Sequence, residues 1–140
     1  MLNALDISTS ALVAQRMRMN TISNNLANMS TTHNEAGEAK PYQAKFVIFE
    51  TDPNLQGPAG SAGVRVRSVE TTDIEPRYKY QPGHPDALQS GPHAGYVAYP
   101  NINMMAEFTD AIETSRSYEA NVGAIEISKD LIQHTLRILA

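Results

Sequence analysis

The sequence predicts an α+β fold: long N- and C-terminal helices, packing as a coiled coil, on either side of a small β-rich middle domain. Three observations carry this reading. All eight prolines and seven of the eight glycines fall between Gly37 and Pro100. Both end segments show apolar residues at the 3.5-residue spacing of packed helices, while the middle shows short period-two runs. The boundaries follow as residues 1–36 for the N-terminal helix, 37–100 for the β-rich middle domain and 101–140 for the C-terminal coiled-coil helix.

In the first segment Leu5, Leu12, Met19 and Leu26 recur at sevens, with Ile22 and Met29 three residues after Met19 and Leu26. Its polar positions are unusual. Among residues 1–32 only Asp6, Arg16 and Arg18 are charged, whereas fourteen are Asn, Gln, Ser or Thr. A solvated helix face favours Glu and Lys, which combine high helix propensity with i,i+4 pairing. Amides and hydroxyls can be buried once hydrogen-bonded, so this composition predicts a helix packed on more than one side.

The last segment is the more regular. Met104, Phe108, Ala111, Ser115, Tyr118, Val122, Ile125, Lys129, Ile132, Leu136 and Leu139 alternate spacings of four and three without a break. Asn101 or Asn103, after Pro100, is placed to cap the helix. An isolated amphipathic helix of this kind is marginal, so each end needs a partner, from the same chain or from a neighbour.

Between them, Tyr42 to Phe49 is an aromatic and β-branched run, and Val64–Arg67 and Arg77–Tyr80 alternate with period two. Gly57 to Gly63 is a flexible loop and Pro82-Gly83-His84-Pro85 a turn.

Composition removes several function classes. A net charge of −4 with scattered Lys and Arg gives no nucleic-acid footprint, Arg16-Met17-Arg18 being too small a grouping. The absence of cysteine excludes a disulfide scaffold, a thiolate metal site and a cysteine nucleophile. No apolar run is long enough for a transmembrane helix, and the residues from Met1 onward show no cleavable secretory signal. The protein is therefore expected to stay inside or to leave by a route that does not use that signal.

His33, His84, His93 and His134 match no metal-ligand spacing, and acid pairs such as Glu70 and Asp73 have no accompanying nucleophile or oxyanion motif. Gly57–Gly63 lacks the Lys-Ser or Lys-Thr of a phosphate cradle. No catalytic, cofactor-binding or metal residue is expected, nor a small-molecule substrate.

The end segments also carry a resemblance. Ser23-Asn24-Asn25-Leu26-Ala27-Asn28 resembles the N-terminal motif shared by flagellar rod and hook proteins, and Ser115-Arg116-Ser117-Tyr118-Glu119-Ala120-Asn121-Val122 resembles their C-terminal helix motif. Pro82–Ala87 and Gly95–Asn103 are similar to blocks of the proximal rod proteins of that family.

The resemblance implies a non-enzymatic subunit of the bacterial flagellar basal-body rod, co-assembling with itself and other rod subunits into a helical tube. That tube transmits torque and forms the export channel, next to MS-ring and export-gate-proximal components. It further implies a periplasmic location reached through the flagellar type III apparatus on an uncleaved N-terminal signal. The residues expected at the assembly interface are Leu5, Leu12, Met19, Ile22, Asn25, Leu26 and Asn28 in the first helix. In the second they are Phe108, Tyr118, Asn121, Val122, Ile125, Ile132 and Leu136. The competing class is a cytoplasmic coiled-coil adaptor or export chaperone. Such a protein is expected to show charged flanking positions, and the sparse charge in residues 1–32 argues against it.

Overall fold

The computed structural model describes residues 2–34, 36–57 and 60–139, with the side chains of Leu2, Asn3 and Leu139 excepted. Met1 of the N-terminal reading, Pro58 and Ala59 of the loop, and the Leu139 end of the seam therefore lie outside it. The order of elements is α1 (Leu2–Ala27), β1 (Lys45–Gln56), β2 (Ala62–Thr71), β3 (Arg77–Tyr80), β4 (Tyr96–Tyr99) and α2 (Met104–Leu139). The fold is α+β, with a helix at each end and antiparallel strands between.

Helix α2 begins where its cap allows. Asn103 Oδ1 accepts from the backbone N–H of Met105 at 3.0 Å and of Ala106 at 3.3 Å, satisfying two donors of the first turn. Glu107 adds an acidic residue in that turn, favoured by the helix dipole. Helix α1 ends on an amide. Asn28 donates through its backbone N–H (3.1 Å) and its Nδ2 (2.9 Å) to the same carbonyl, Asn24 O, which closes the last turn without glycine.

The strands form two separate two-stranded sheets, β1 with β2 and β3 with β4. The first strand differs from its sequence expectation of Tyr42–Phe49: it starts at Lys45 and continues to Gln56. It runs through Asp52-Pro53-Asn54, where Asn54 N–H bonds back to Asp52 Oδ1 at 2.9 Å, a turn-like contact held inside a strand. A two-stranded sheet has an outer edge on each strand, and proline is tolerated on an edge. Strand β3 coincides with the Arg77–Tyr80 alternation. Its partner Tyr96–Tyr99, which has no polar residue to make an alternation, pairs antiparallel with Arg77 opposite Tyr99 and Tyr80 opposite Tyr96.

The chain divides into two compact units, each drawing on both ends and the middle. The first comprises Met1–Asn20, Val47–Val69 and Asp110–Ala140. In it Ser10 ties α1 to the hairpin, its Oγ accepting from Val64 N–H at 3.0 Å and donating to Ile7 O at 2.7 Å. Gly63 is buried there, and a Cβ on it would meet Leu55 Cβ at 2.8 Å and Ser10 Oγ at 3.1 Å. The second unit comprises Thr21–Phe46 and Glu70–Thr109, with Val97, Ile102, Ile22 and Asn25 among its buried residues.

Candidate functional site

The amide-rich end of α1 resolves into distinct roles. Asn25 is 2% exposed and uses all four of its hydrogen-bonding positions within the chain. Its Oδ1 accepts from Lys45 N–H at 2.9 Å and Tyr42 Oη at 3.1 Å; its Nδ2 donates to Lys45 O at 2.8 Å and to the Glu107 carboxylate at 3.2 Å. One side chain thereby joins a helix, the first residue of a strand and the first turn of α2. Burial, and then the negative charge of Glu107, raise the pKa of the Tyr42 phenol above its ordinary value. That keeps Tyr42 the donor to Asn25.

A second polar cluster lies further along the same unit. Thr32 Oγ1 donates to Asp86 Oδ2 at 2.5 Å, and His33 Nδ1 and His84 Nδ1 stand 3.5 and 3.9 Å from the same oxygen. The Thr32 bond, followed by the charges of the two histidines, lowers the Asp86 pKa against the opposing effect of burial. Asp86 N–H donates to His84 Nδ1 at 3.1 Å, so that nitrogen is the acceptor in the imidazole. Among the described residues no three His, Asp or Glu side chains converge as metal ligands.

In the first unit α1 and α2 meet through small and polar residues. Ala14 on α1 and Thr114 on α2 are 2% and 1% exposed, and Thr114 Oγ1 turns back onto Asp110 O at 2.6 Å. Arg18 lies 3.6 Å from Asp110 and 4.0 Å from Glu113, partly exposed pairs of small energetic weight. Gln15, Arg16 and Met19 on α1 and Thr114, Ser115 and Tyr118 on α2 line an open groove of about 240 Å³.

Two family descriptions match the chain: "Flagella basal body rod protein" over residues 5–33, and "Flagellar basal body rod FlgEFG protein C-terminal" over residues 93–138. The chain is 38% identical to "Flagellar basal-body rod protein FlgC" of Borreliella burgdorferi, covering 98% of this chain and 96% of the relative. It is 37% identical to the protein of that name in Bacillus subtilis (97% and 96% covered) and 36% to that of Salmonella typhimurium (99% and 97%). The chain belongs to the FlgC family of flagellar basal-body rod proteins. It is a structural protein of the flagellar basal body, not an enzyme.

Within this FlgC-family chain the residues expected at an assembly interface fall into three groups. Ile22 and Asn25 are buried in the chain itself. Leu5, Leu12, Met19, Leu26, Asn28, Asn121, Val122, Ile125 and Ile132 are half-buried. Phe108, Tyr118 and Leu136 remain exposed. Asn121 Nδ2 bonds to Ser117 O at 2.8 Å along its own helix. Asn28 makes one donated and one accepted side-chain bond, leaving it the second of each at the rim of an open polar groove of about 590 Å³.

Sequence reasoning did not single out Tyr42, Lys45 and Glu107 as partners of Asn25, nor the pairing of Thr32 with Asp86. The polar composition of α1 signalled buried amides; it held no signal for partners 20 and 82 residues away.

Proposed function

We propose that this rod protein assembles with copies of itself and with other rod subunits into a periplasmic helical tube that transmits torque and encloses the export channel. Residues 1–36 and 101–140 form its inner layer, packed as coiled coils, and residues 37–100 face outward. MS-ring and export-gate-proximal components are its neighbours at the base. The chain reaches its place through the flagellar type III apparatus, on an uncleaved signal near the N-terminus.

The observation that supports this best is where α2 keeps its large aliphatic side chains. Ile112, Ile127, Leu131, Leu136 and Ile138 are 56 to 85% exposed, while the residues buried between the helices are small or polar. Ile127, Leu131 and Ile138 share one face of the helix by their spacing of four and seven. Ile125, Ile132 and Leu136 share another, about 140° away at 100° per residue. A helix apolar on two sides is a helix covered on two sides, and one partner helix covers only one of them. A subunit whose copies each cover another in a non-closing contact builds a tube.

The test is a pair of substitutions set against a control. Val122→Asp or Ile132→Asp places a carboxylate in the assembled interface, a loss of several kcal/mol for an unpaired buried charge, ~3–5. Both variants are expected at parental levels in the cell, without motility and without completed rods. His84→Gln, in a turn of the middle domain, is expected to leave motility near that of the parent. Motile cells with either Asp variant overturn the helix-mediated reading.

A further inference from the structure

We propose that the outer edge of β3 is a docking site for the extended acidic segment Asp73-Ile74-Glu75 of a second copy of this chain. The edge and the segment both lie in the second compact unit.

The pairing of β3 with β4 fixes which backbone groups are committed. The ladder continues past the strand in a bond from Gln81 N–H to Gly95 O at 3.0 Å, so residues 77, 79 and 81 direct their N–H and C=O at β4. Tyr78 and Tyr80 direct theirs the other way. On the far side of β4 the corresponding carbonyl, Tyr96 O, is already taken by Leu88 N–H at 2.9 Å. Strand β3, whose four residues are all exposed, is thus an open edge of this sheet, while β4 is covered at Tyr96. Along it lies a groove of about 600 Å³ bounded by Met29, Ser30, Arg77, Tyr78, Lys79 and Tyr99.

The edge is rigid and charged. Tyr78 stacks on His93 with centroids 4.0 Å apart and planes within 6°, and Tyr80 meets Tyr96 edge-on at 5.1 Å. Arg77 and Lys79, two residues apart, share the opposite face of the strand and make no ion pair among the described residues. Charges on an edge strand ordinarily guard against pairing. The same charges select a partner when the complementary pattern is available.

That pattern stands four residues upstream. Asp73 and Glu75 are exposed, two apart, and without an ion-pair partner among the described residues; Ile74 between them is 49% exposed. The segment belongs to no sheet, yet it is held at both ends, by Thr72 N–H on Ala44 O (2.7 Å) and Asn101 Nδ2 on Glu75 O (3.2 Å). In extended chain, residues two apart lie roughly 6.5–7 Å from each other on one side, so two acids match two bases in either strand direction. Ile74 then lies beside Tyr78. Because the donor segment and the acceptor edge are different residues, each copy uses one and offers the other. This is a head-to-tail contact of the kind an open assembly needs, and in that sense it rests on the rod reading.

The cysteine-free chain allows a direct test. Full-length Ile74→Cys and Tyr78→Cys chains are mixed, allowed to assemble, and oxidised. The expected product is a 74–78 disulfide between copies, in excess of 74–74 and 78–78, with a yield that falls as salt rises. Adding Arg77→Glu and Lys79→Glu to the Tyr78→Cys chain is expected to lower that yield at least about tenfold, ~1.4 kcal/mol or more. Adding Asp73→Lys and Glu75→Lys to the Ile74→Cys chain restores it. Absence of a preferred 74–78 product, or a yield indifferent to charge reversal, overturns the contact. Incorporation of the mixed Ile74→Cys and Tyr78→Cys chains into basal bodies is scored separately. Cysteine chains that enter rods without forming the cross-link refute the β3 site and leave the rod reading standing.

Discussion

Asn25 and Lys45 face each other as two residues of neighbouring strands do, although Asn25 sits in a helix. Its side-chain amide accepts from Lys45 N–H at 2.9 Å and donates to Lys45 O at 2.8 Å, reproducing the paired bonds of an antiparallel ladder. The strand that starts at Lys45 is thereby started by a helix.

Replacing Asn25 should cost more than its size suggests. Asn25→Leu keeps the branched shape and raises the helix propensity, but leaves Lys45 N–H and C=O, the Tyr42 hydroxyl and Glu107 to find other partners. Each buried orphan costs about 1–3 kcal/mol, and partial rehydration of the pocket recovers some of it. A net loss of roughly 3 kcal/mol is expected from urea denaturation midpoints, against about 1 for Tyr42→Phe, which removes a single bond. Asn25→Asp adds a further signature. It puts a second carboxylate beside Glu107, so its destabilisation should shrink as the solution is acidified. A pH-independent effect would show that the charge of Glu107 is not felt at this position.

How much of this was legible in the sequence differs from residue to residue. Arg77–Tyr80 was, because a period-two run of aromatic and basic residues has few other conformations to adopt. The far half of β1 was not, since Asp52-Pro53-Asn54 carries the chemistry of a turn and only its edge position lets it be a strand. The start of α2 was visible as an asparagine after a proline, and the choice of Asn103 over Asn101 is a matter of one turn's geometry. For the site, helical spacing identifies which residues form a stripe. It carries no information on which contact buries it, and so Thr114, at 1% exposure, sits one position from the seam residue Ser115. The Thr32–Asp86 bond joins residues 54 apart, and no local rule connects them.

That bond makes stability depend on acid. The folded state holds the Asp86 pKa below its ordinary value, first through Thr32 and then through His33 and His84. Between the folded and unfolded pKa values the unfolded chain binds more protons, so stability rises with pH in that interval. The contribution is complete above the ordinary carboxylate range and is lost as pH falls through the depressed value. Asp86→Asn should flatten the acid limb of a stability–pH curve, and Thr32→Val should move the Asp86 titration, followed by carboxyl NMR, upward. A titration unmoved by Thr32→Val would mean that the histidines alone set it.

Gly63 and Ser10 form the corresponding fixed point in the first unit. Gly63→Ala drives a methyl against Leu55 Cβ, 2.8 Å from the ideal position, where the backbone of two strands leaves little room to yield. An overpacking cost of about 1–3 kcal/mol is expected. Ser10→Ala removes the acceptor of Val64 N–H and should cost about 1–2 kcal/mol. Because the two residues touch, the double variant should fall short of the sum, which a double-mutant cycle on denaturation midpoints measures directly.

The last expectation concerns the two tasks proposed for α1, export and assembly. Residues 2–8 precede Ser10, the first among the described side chains of α1 to be bonded to the hairpin, and precede Asn25 by more than four turns. Their removal keeps the bonds of Ser10 to Val64 and of Asn25 to Lys45 but takes away the half-buried Leu5 and Ile7, so the deleted chain is first shown to keep the parent's helix content by circular dichroism. Ile132→Asp lies at the other end of the chain, on a half-buried position of α2, and leaves the N-terminal residues untouched. Deletion of 2–8 is thus expected to hold the protein in the cytoplasm, while Ile132→Asp subunits reach the periplasm and are absent from purified basal bodies. Quantifying each variant in the two fractions decides the matter. Normal export of the deleted chain, or retention of Ile132→Asp in the cytoplasm, would mean that one surface serves both tasks.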